Sequence, residues 1–528
     1  MYINNNFSLH SKPDIKNSSG RTVKANFKGN ASPNNGEVTA TDIYGNDFHG
    51  HLKAFRKFKM AVDTFRAKNP DGQVFISGDS WVGAYEKKNE TIMRIQNLIR
   101  PDGYVLGNHE FDNKGSLGVS KILDLSTFTT LALNLKKNQN SPTYALQDDV
   151  DAGRLASSKI VEKNGQKFGY IGLIPVDFLT RVSQQTKEYT KDMHVMNISE
   201  TANALQAEVD KLEKQGINKI TLVSHMGIDA DRLIAQNVSG IDIIHGSHSH
   251  DLIDGIEPGK NFFISKRGEP VLITQAGKNG HNYGISTVVY DKNGKIIKAK
   301  NEIHDLESVP ESLSVKTMEN IFLGQPEQIG VIKQEVKSKP ETVLEESPLS
   351  SFLSDAYLKY SDADIALNNM GGIRASLPAG PVTDRDIIDL MPFFNDVFVY
   401  KLSEKDIMDA LNGAVQALRK HNRTGALQVA GLRYTIGKDD KVKDVIFLKK
   451  DGTQEKLDSQ NPRNDKFFNV VYNTFVAGGT DGLEVLHAPD KVIKKCDLTE
   501  TQMFIDYIKS FNGAPITIKE DGRIKQEV

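Results

Sequence analysis

The chain has 528 residues, 25% of them charged and 38% apolar, with a formal net charge of −2. That balance excludes a basic field for nucleic-acid polymers or acidic membranes, and no apolar run approaches the ~18 residues of a membrane span. The single cysteine, Cys496, excludes an internal disulfide and a thiolate metal cluster and suits a reducing compartment.

In chain order, residues 1–37 are rich in Asn, Lys and Ser, lack the apolar core of a secretory signal and are expected to form a disordered leader. Without a readable export signal, a cytoplasmic location is the default. From 38 to 305, short β-rich runs alternate with amphipathic stretches. "QVFIS" (73–77), "YVL" (104–106), "FGYIGLI" (168–174), "KITLVS" (219–224) and "IDIIHG" (241–246) read as strands. In "SETANALQAEVDKLEKQG", Ala202, Leu205, Val209 and Leu212 recur at helical spacing before Gly216. The alternation predicts an α/β unit with a mainly parallel sheet, whose ligands bind at the carboxyl ends of the strands. Residues 306–335 read as a connector with some helix. A second, α+β unit follows over 336–528, with two glycine-bearing segments, "NNMGGIRASLPAGP" and "YNTFVAGGTDGLEVL".

The ends of the strands carry the chemistry. "GNDFHG" offers Asp47 and His49, "SGDSWVG" offers Asp79, and "YVLGNHEFD" offers Asn108, His109, Glu110 and Asp112. "SHMG" adds His225, and "GSHSHD" adds His248 and His250. Taken singly, each has a plainer reading: Asp47 in a turn, Asp79 as a helix cap, His225 as a structural histidine. His248 and His250 are alternate residues, which in an extended segment point the same way and can converge on metal. Jointly, five of the 13 histidines fall at these strand ends. Carboxylate, amide and imidazole ligands without thiolate suit borderline divalent ions such as zinc or manganese. Two such ions, partly neutralised by Asp47 and Asp79, keep a net positive charge that attracts phosphate and lowers the pKa of a bound water. A pair about 3.5 to 4 Å apart needs a bridging carboxylate, and Asp79, alone between the other ligand segments, is the candidate.

The order D-x-H, G-D, G-N-H-E, H, G-x-H-x-H resembles the calcineurin-like metallophosphoesterase signature. "NDFHGHL" and "GNHEFD" are similar to the 5'-nucleotidase family in particular, over about residues 38 to 520. The resemblance implies a metallophosphoesterase β-sandwich flanked by helices, followed by a substrate-binding domain. It implies one divalent ion on Asp47, His49, Asp79 and His250 and a second on Asp79, Asn108, His225 and His248. His109 then contacts the phosphoryl group and Asp112 orients it, while Glu110 is a hydrogen-bonding scaffold residue. In the second unit it places Asn369 and Arg374 at a glycine turn for phosphate or ribose, Phe393 and Phe475 as walls around a base, and Asn395 and Asp481 as polar contacts. The plainer readings are core phenylalanines and a hairpin turn at "GGTDG".

The implied activity is phosphate release from nucleoside monophosphates by two-metal hydroxide attack, with the base held in one domain, the chemistry in the other, and the connector letting them rotate. Cyclic-nucleotide or nucleotide-sugar hydrolysis, a non-nucleotide phosphomonoesterase and a catalytically silent binding protein are the alternatives. The implied partner is a small nucleotide, and most of the family is exported, to the periplasm or cell surface. Two departures stand out: Glu345 and Glu346 occupy a stretch where the family commonly carries arginine, and Phe394 stands where a small residue is usual.

Overall fold

The computed structural model describes residues 36–182, 184–340, 343–421, 425–479 and 482–527. Nearly all of the expected leader, and Asp481, lie outside the described residues.

The N-terminal half contains β1 (Val38–Gly45), β2 (Gln73–Ile76), β3 (Gly103–Tyr104), β4 (Ser158–Lys163), β5 (Gln166–Leu173), β6 (Ile220–Ser224), β7 (Ile243–His245), β8 (Phe262–Ile264), β9 (Pro270–Thr274), β10 (Asn282–Tyr290) and β11 (Ile296–Asp305). They form two sheets, in the orders β11–β10–β1–β2–β3 and β8–β9–β7–β6–β5–β4. Within these two sheets parallel pairing is confined to β1–β2–β3 and β5–β6–β7–β9; the edge strands β11, β8 and β4 pair antiparallel, while the edge strand β3 pairs parallel with β2. A single mainly parallel sheet is therefore not what forms. The sequence reading overlooked the hairpins β4–β5 and β10–β11; in β10 the alternation of buried and half-buried residues marks a half-solvated antiparallel strand.

Residue parity explains the layering. In β5, Phe168 and Tyr170 face the space between the sheets, while Ile171 and Leu173 face outward. In β6, Val223 faces inward, and Ile220 and Leu222 face outward. Both faces are buried over most of each strand, as expected of central strands with apolar residues on both faces. The inner layer closes where the Phe75 ring meets Tyr170 edge-on at 5.1 Å. The outer face of the second sheet is covered by α3 (Ile198–Lys214), through Leu205, Val209 and Leu212, and by α4 (Ile228–Asn237). Asn197 and Glu200 form a capping box that starts α3. The first sheet is covered by α1 (Leu52–Lys68) and α2 (Glu86–Ile99), through Phe55, Phe58, Val62, Ile92 and Ile95.

The expected connector is ordered. Its helix (Leu313–Leu323) packs on the N-terminal half, where Arg56 Nε donates to Glu319 at 2.9 Å and the Arg94 guanidinium lies 4.4 Å from the Phe322 ring. The next strand, Gln328–Ile332, pairs with Gly380–Thr383 of the second half. That half is built on a mixed five-stranded sheet, layered between Pro348–Ser361 and Glu500–Lys509 on one face and Glu404–His421 on the other.

The two halves meet along a specific seam. Ala84 N–H donates to Phe393 O at 2.9 Å, and Tyr85 stacks near the Phe394 ring at 4.4 Å. Phe394 holds φ 57°, a left-handed backbone that a small residue adopts more easily; its ring contact across the seam accounts for the departure. Lys88, fully buried, donates to Ile388 O at 3.1 Å and lies 3.6 Å from Asp389, and burial pulls its pKa down to about 8. Gly83 has φ 71°, and a Cβ there would fall on the Phe393 backbone, within 2.6 Å of its carbonyl oxygen. The substitution Gly83→Ala is expected to force the seam apart and enlarge the radius of gyration in solution scattering; an unchanged profile would show that the seam does not hold the halves together.

Candidate metal centre and substrate pocket

Five of the sequence-predicted ligand positions share one backbone peculiarity. Asp47, His49, Asp79, His248 and His250 have φ of 50°, 47°, 49°, 72° and 62°. Each such non-glycine residue costs about 1–3 kcal/mol and persists where the surroundings over-determine it, a pattern that clusters at functional sites. The strain corrects one expectation: His248 and His250 lie in a left-handed loop beyond β7, not an extended segment. They part company, His250 joining Asp47 and His49, and His248 joining Asp79 and His225.

The donor atoms converge on Asp79. Its Oδ2 lies 3.4 Å from His49 Nε2 and 3.2 Å from His225 Nε2, one member of each cluster. Asp47 Oδ1 lies 3.5 Å from His250 Nε2 and 3.8 Å from both His49 Nε2 and His225 Nε2. Among the described residues, Asp47 Oδ1, His49 Nε2, Asn108 Oδ1, His225 Nε2 and His248 Nε2 are buried without a hydrogen-bond partner, although Asp177 Oδ1 lies 3.3 Å from His248 Nε2. Buried polar atoms are rarely left so, and this set matches the donor chemistry of a divalent cation. The residues present therefore fit two such ions.

The atoms facing away from the clusters are tied down. Asp47 Oδ2 accepts from Asn46 Nδ2 at 2.6 Å and His248 N at 3.0 Å. Asp79 Oδ1 accepts from His109 N at 2.9 Å. His225 Nδ1 donates to Ser77 O at 2.7 Å, and His49 Nδ1 donates to Asn279 Oδ1 at 2.8 Å, so Nε2 of each ring is left for a cation. Two glycines permit this closeness: a Cβ on Gly78 (φ 83°) would meet His225 Nδ1 at 2.5 Å, and one on Gly107 would collide with Asp79 and His225.

Glu110 holds the two metal loops together. Its carboxylate, 1% exposed, accepts from Gly107 N at 2.6 Å, Asp79 N at 2.9 Å, Ser80 N at 2.6 Å and Trp81 N at 3.3 Å. Burial and then the Asp79 charge push it up to about 7. His109 Nδ1 sits 2.8 Å from Asp112 Oδ2, which also accepts Gly83 N–H at 3.0 Å. Burial disfavours the charged His109 ring, yet the Asp112 and Asp79 carboxylates outweigh it and raise the ring to about 9. Burial alone would raise Asp47 and Asp79; the imidazoles, His250 beside Asp47 and His225 beside Asp79, hold both below the ordinary carboxylate range. His225 is opposed by burial but lifted by Asp79 to about 10.

The second half supplies a wall. Phe393 lies 5.7 Å from the His109 ring, with the Arg374 guanidinium 5.5 Å from the other ring centroid. Asn279, which sequence reasoning missed, links the halves: it holds His49 and donates Nδ2 to Arg374 O at 3.0 Å. Asn369 is buried, its Oδ1 3.3 Å from Asn473 Nδ2, and Asn395 Nδ2 donates to Glu500 at 2.7 Å. Phe475 is 37% exposed, and among the described residues no ring contact joins it to Phe393. Glu346 accepts from the backbone N–H of Asp521, Gly522 and Arg523 at 2.8–2.9 Å, and Glu345 pairs with Lys339 at 2.8 Å. These acids anchor the chain end and a surface lysine.

The family model for the 5'-nucleotidase C-terminal domain matches residues 328–488. The chain is 26% identical to a trifunctional nucleotide phosphoesterase protein of Bacillus subtilis, over 94% of this chain but only 35% of that protein's length. It is 26% identical to a probable 5'-nucleotidase of Treponema pallidum, covering 85% of this chain and 88% of that one. A 5'-nucleotidase precursor from Thermus thermophilus superposes with a TM-score of 0.71 at 25% identity, over 93% of this chain and 99% of that one. Fold and donor clusters together define a two-domain hydrolytic phosphoesterase. Within that class, the chain is similar to the two-domain 5'-nucleotidases.

Two outcomes follow. A cation must displace the proton that His225 carries in the metal-free protein, so loading at about pH 7.5 is expected to release protons and to weaken as pH falls; calorimetry in buffers of different ionisation enthalpy reads this, and buffer-independent heats would contradict it. Glu110→Gln puts an amide donor against backbone donors and is expected to weaken metal affinity about 10–100-fold, measured by competition with a chelator.

Proposed function

We propose that this chain hydrolyses the 5'-phosphoester of nucleoside monophosphates, using two divalent ions of which zinc or manganese suit the donors best. One observation carries the reading: Asp79 Oδ2 stands between the two donor clusters, near His49 of one and His225 of the other, and the adjacent His109 ring meets a wall, Phe393 and Arg374, belonging to the other half of the chain. The names of the relatives support it.

In this reading Asp47, His49, Asp79 and His250 hold one ion, and Asp79, Asn108, His225 and His248 the other. When bound, the ions supply Lewis acidity and an activated water nucleophile. The chain's residues do the rest. Asp112 fixes the His109 tautomer by taking Nδ1–H, leaving Nε2 to stabilise charge on the phosphoryl oxygens or to protonate the leaving oxygen. Arg374 and Asn369 hold phosphate or ribose, the planar guanidinium donating in pairs. Phe393 and Phe475 enclose the base, with Asn395 and Asp481 as polar contacts. The covering second half excludes water from the reacting centre.

Phosphate release from AMP, GMP, CMP, UMP and glucose 6-phosphate, after stripping and restoring each metal, tests the reading. Metal-dependent release confined to nucleotides is expected; release from the sugar phosphate alone would overturn the nucleotide assignment, and silence under every metal would overturn the catalytic one. His109→Asn is expected to lower kcat about 10²–10⁴-fold. Phe475→Ala is expected to raise KM by at least about fivefold, the lower end of a lost base stack.

A further inference from the structure

Outside every motif read from the sequence, a buried acid organises the floor of the pocket. Glu500, 1% exposed, opens the helix Glu500–Lys509. Its Oε1 accepts from Asn395 Nδ2 at 2.7 Å and from Asn395 N at 3.4 Å. Its Oε2 accepts from Asn473 Nδ2 at 2.8 Å and from Tyr357 OH at 2.9 Å. Burial raises the carboxyl above its ordinary value, while the asparagines and Tyr357 pull the other way by donating to the ionised form.

An ionised carboxylate only accepts, so its partners must turn their donors toward it. For Asn473 the direction is set twice over: Oδ1 accepts Val476 N–H at 2.9 Å, which leaves Nδ2 for Glu500. The same bond caps the short helix that carries Phe475. Among the described residues, Asn395 has no second anchor of that strength. Its nitrogen end is drawn inward to Glu500, so its oxygen end faces the opposite way, with the Thr474 hydroxyl 3.4 Å off and a lone pair to spare. Asn395 stands two residues beyond Phe393, and Thr474 is next to Phe475.

We propose that Glu500 is a positioning residue that sets base preference: by holding the Asn395 amide with its oxygen outward, it presents an acceptor to the base. This rests on the reading of Phe393 and Phe475 as base walls. The acceptor favours a base with an exocyclic amine, adenine or cytosine, over its counterpart with a carbonyl in that place, hypoxanthine or uracil. Asn369 is polarised in the opposite sense through the same chain of bonds. Its Oδ1 faces Asn473 Nδ2 at 3.3 Å, leaving an amide donor for an anion.

The test compares kcat/KM for AMP against IMP and for CMP against UMP in the metal-loaded full chain, in Glu500→Gln and in Asn395→Ala. AMP and CMP are expected to lead by about tenfold, the discrimination that one neutral hydrogen bond supplies. Glu500→Gln gives the amide freedom to flip and Asn395→Ala removes it, so both are expected to bring the ratios near one, chiefly by slowing AMP and CMP. The wild-type ratios stand even if a variant fails to fold. Equal ratios in the wild type, a preference for IMP and UMP, or ratios untouched in both folded variants would overturn the proposal and leave the nucleotidase reading intact. Hydrolysis of p-nitrophenyl phosphate with no turnover of any nucleotide would overturn both.

Discussion

Everything else in the site hangs on the placement of one carboxylate. Asp79 Oδ2 stands between His49 Nε2 and His225 Nε2, at 3.4 and 3.2 Å, while Oδ1 is occupied by the His109 backbone N–H. A single oxygen is thus turned to two donor clusters at once. Fully buried carboxylates and imidazoles are costly unless opposite charges meet. Strands β1, β2, β3, β6 and β7 each end at this point. The loops after β1, β2 and β7 take left-handed turns at the candidate ligands themselves, Asp47, His49, Asp79, His248 and His250.

Two buried glutamates do the same mechanical task at opposite ends of the pocket. Glu110 gathers backbone N–H groups from the Asp79 and Asn108 loops, and Glu500 gathers amide and hydroxyl donors beneath the pocket floor. An acceptor with four lone-pair positions can fix several donors at once, and every group it fixes loses the freedom to rotate. Between them, the seam joins a metal-side imidazole to the substrate side through a single asparagine, from His49 to Asn279 to Arg374 O. The geometry of the chemistry and of the pocket are therefore mechanically connected.

The strand-end histidines and carboxylates were legible because few sequences place Asp47, Asp79, Asn108 and His225 after apolar runs by accident. The helical face of Leu205, Val209 and Leu212 was legible for the ordinary reason of period. The division into two sheets was not, since β5 and β6 carry apolar residues on both faces and so show no alternation to tell which face meets which layer. The separate destinations of His248 and His250 came from the family resemblance, since the left-handed backbone that parts them is one that alternation cannot reveal. Glu500 and Asn279 were invisible because their roles come from partners distant in sequence. Glu346, conspicuous as a charge, turned out to bind the backbone of residues 521–523.

The central claim is that two ions share Asp79. Electron paramagnetic resonance of the protein loaded with manganese, with metal content measured on the same sample, addresses it directly. The account predicts two manganese ions per chain and the spectrum of an exchange-coupled pair, replaced by uncoupled signals or lost occupancy in Asp79→Asn. One ion per chain, or two that show no coupling in the unaltered protein, would contradict it.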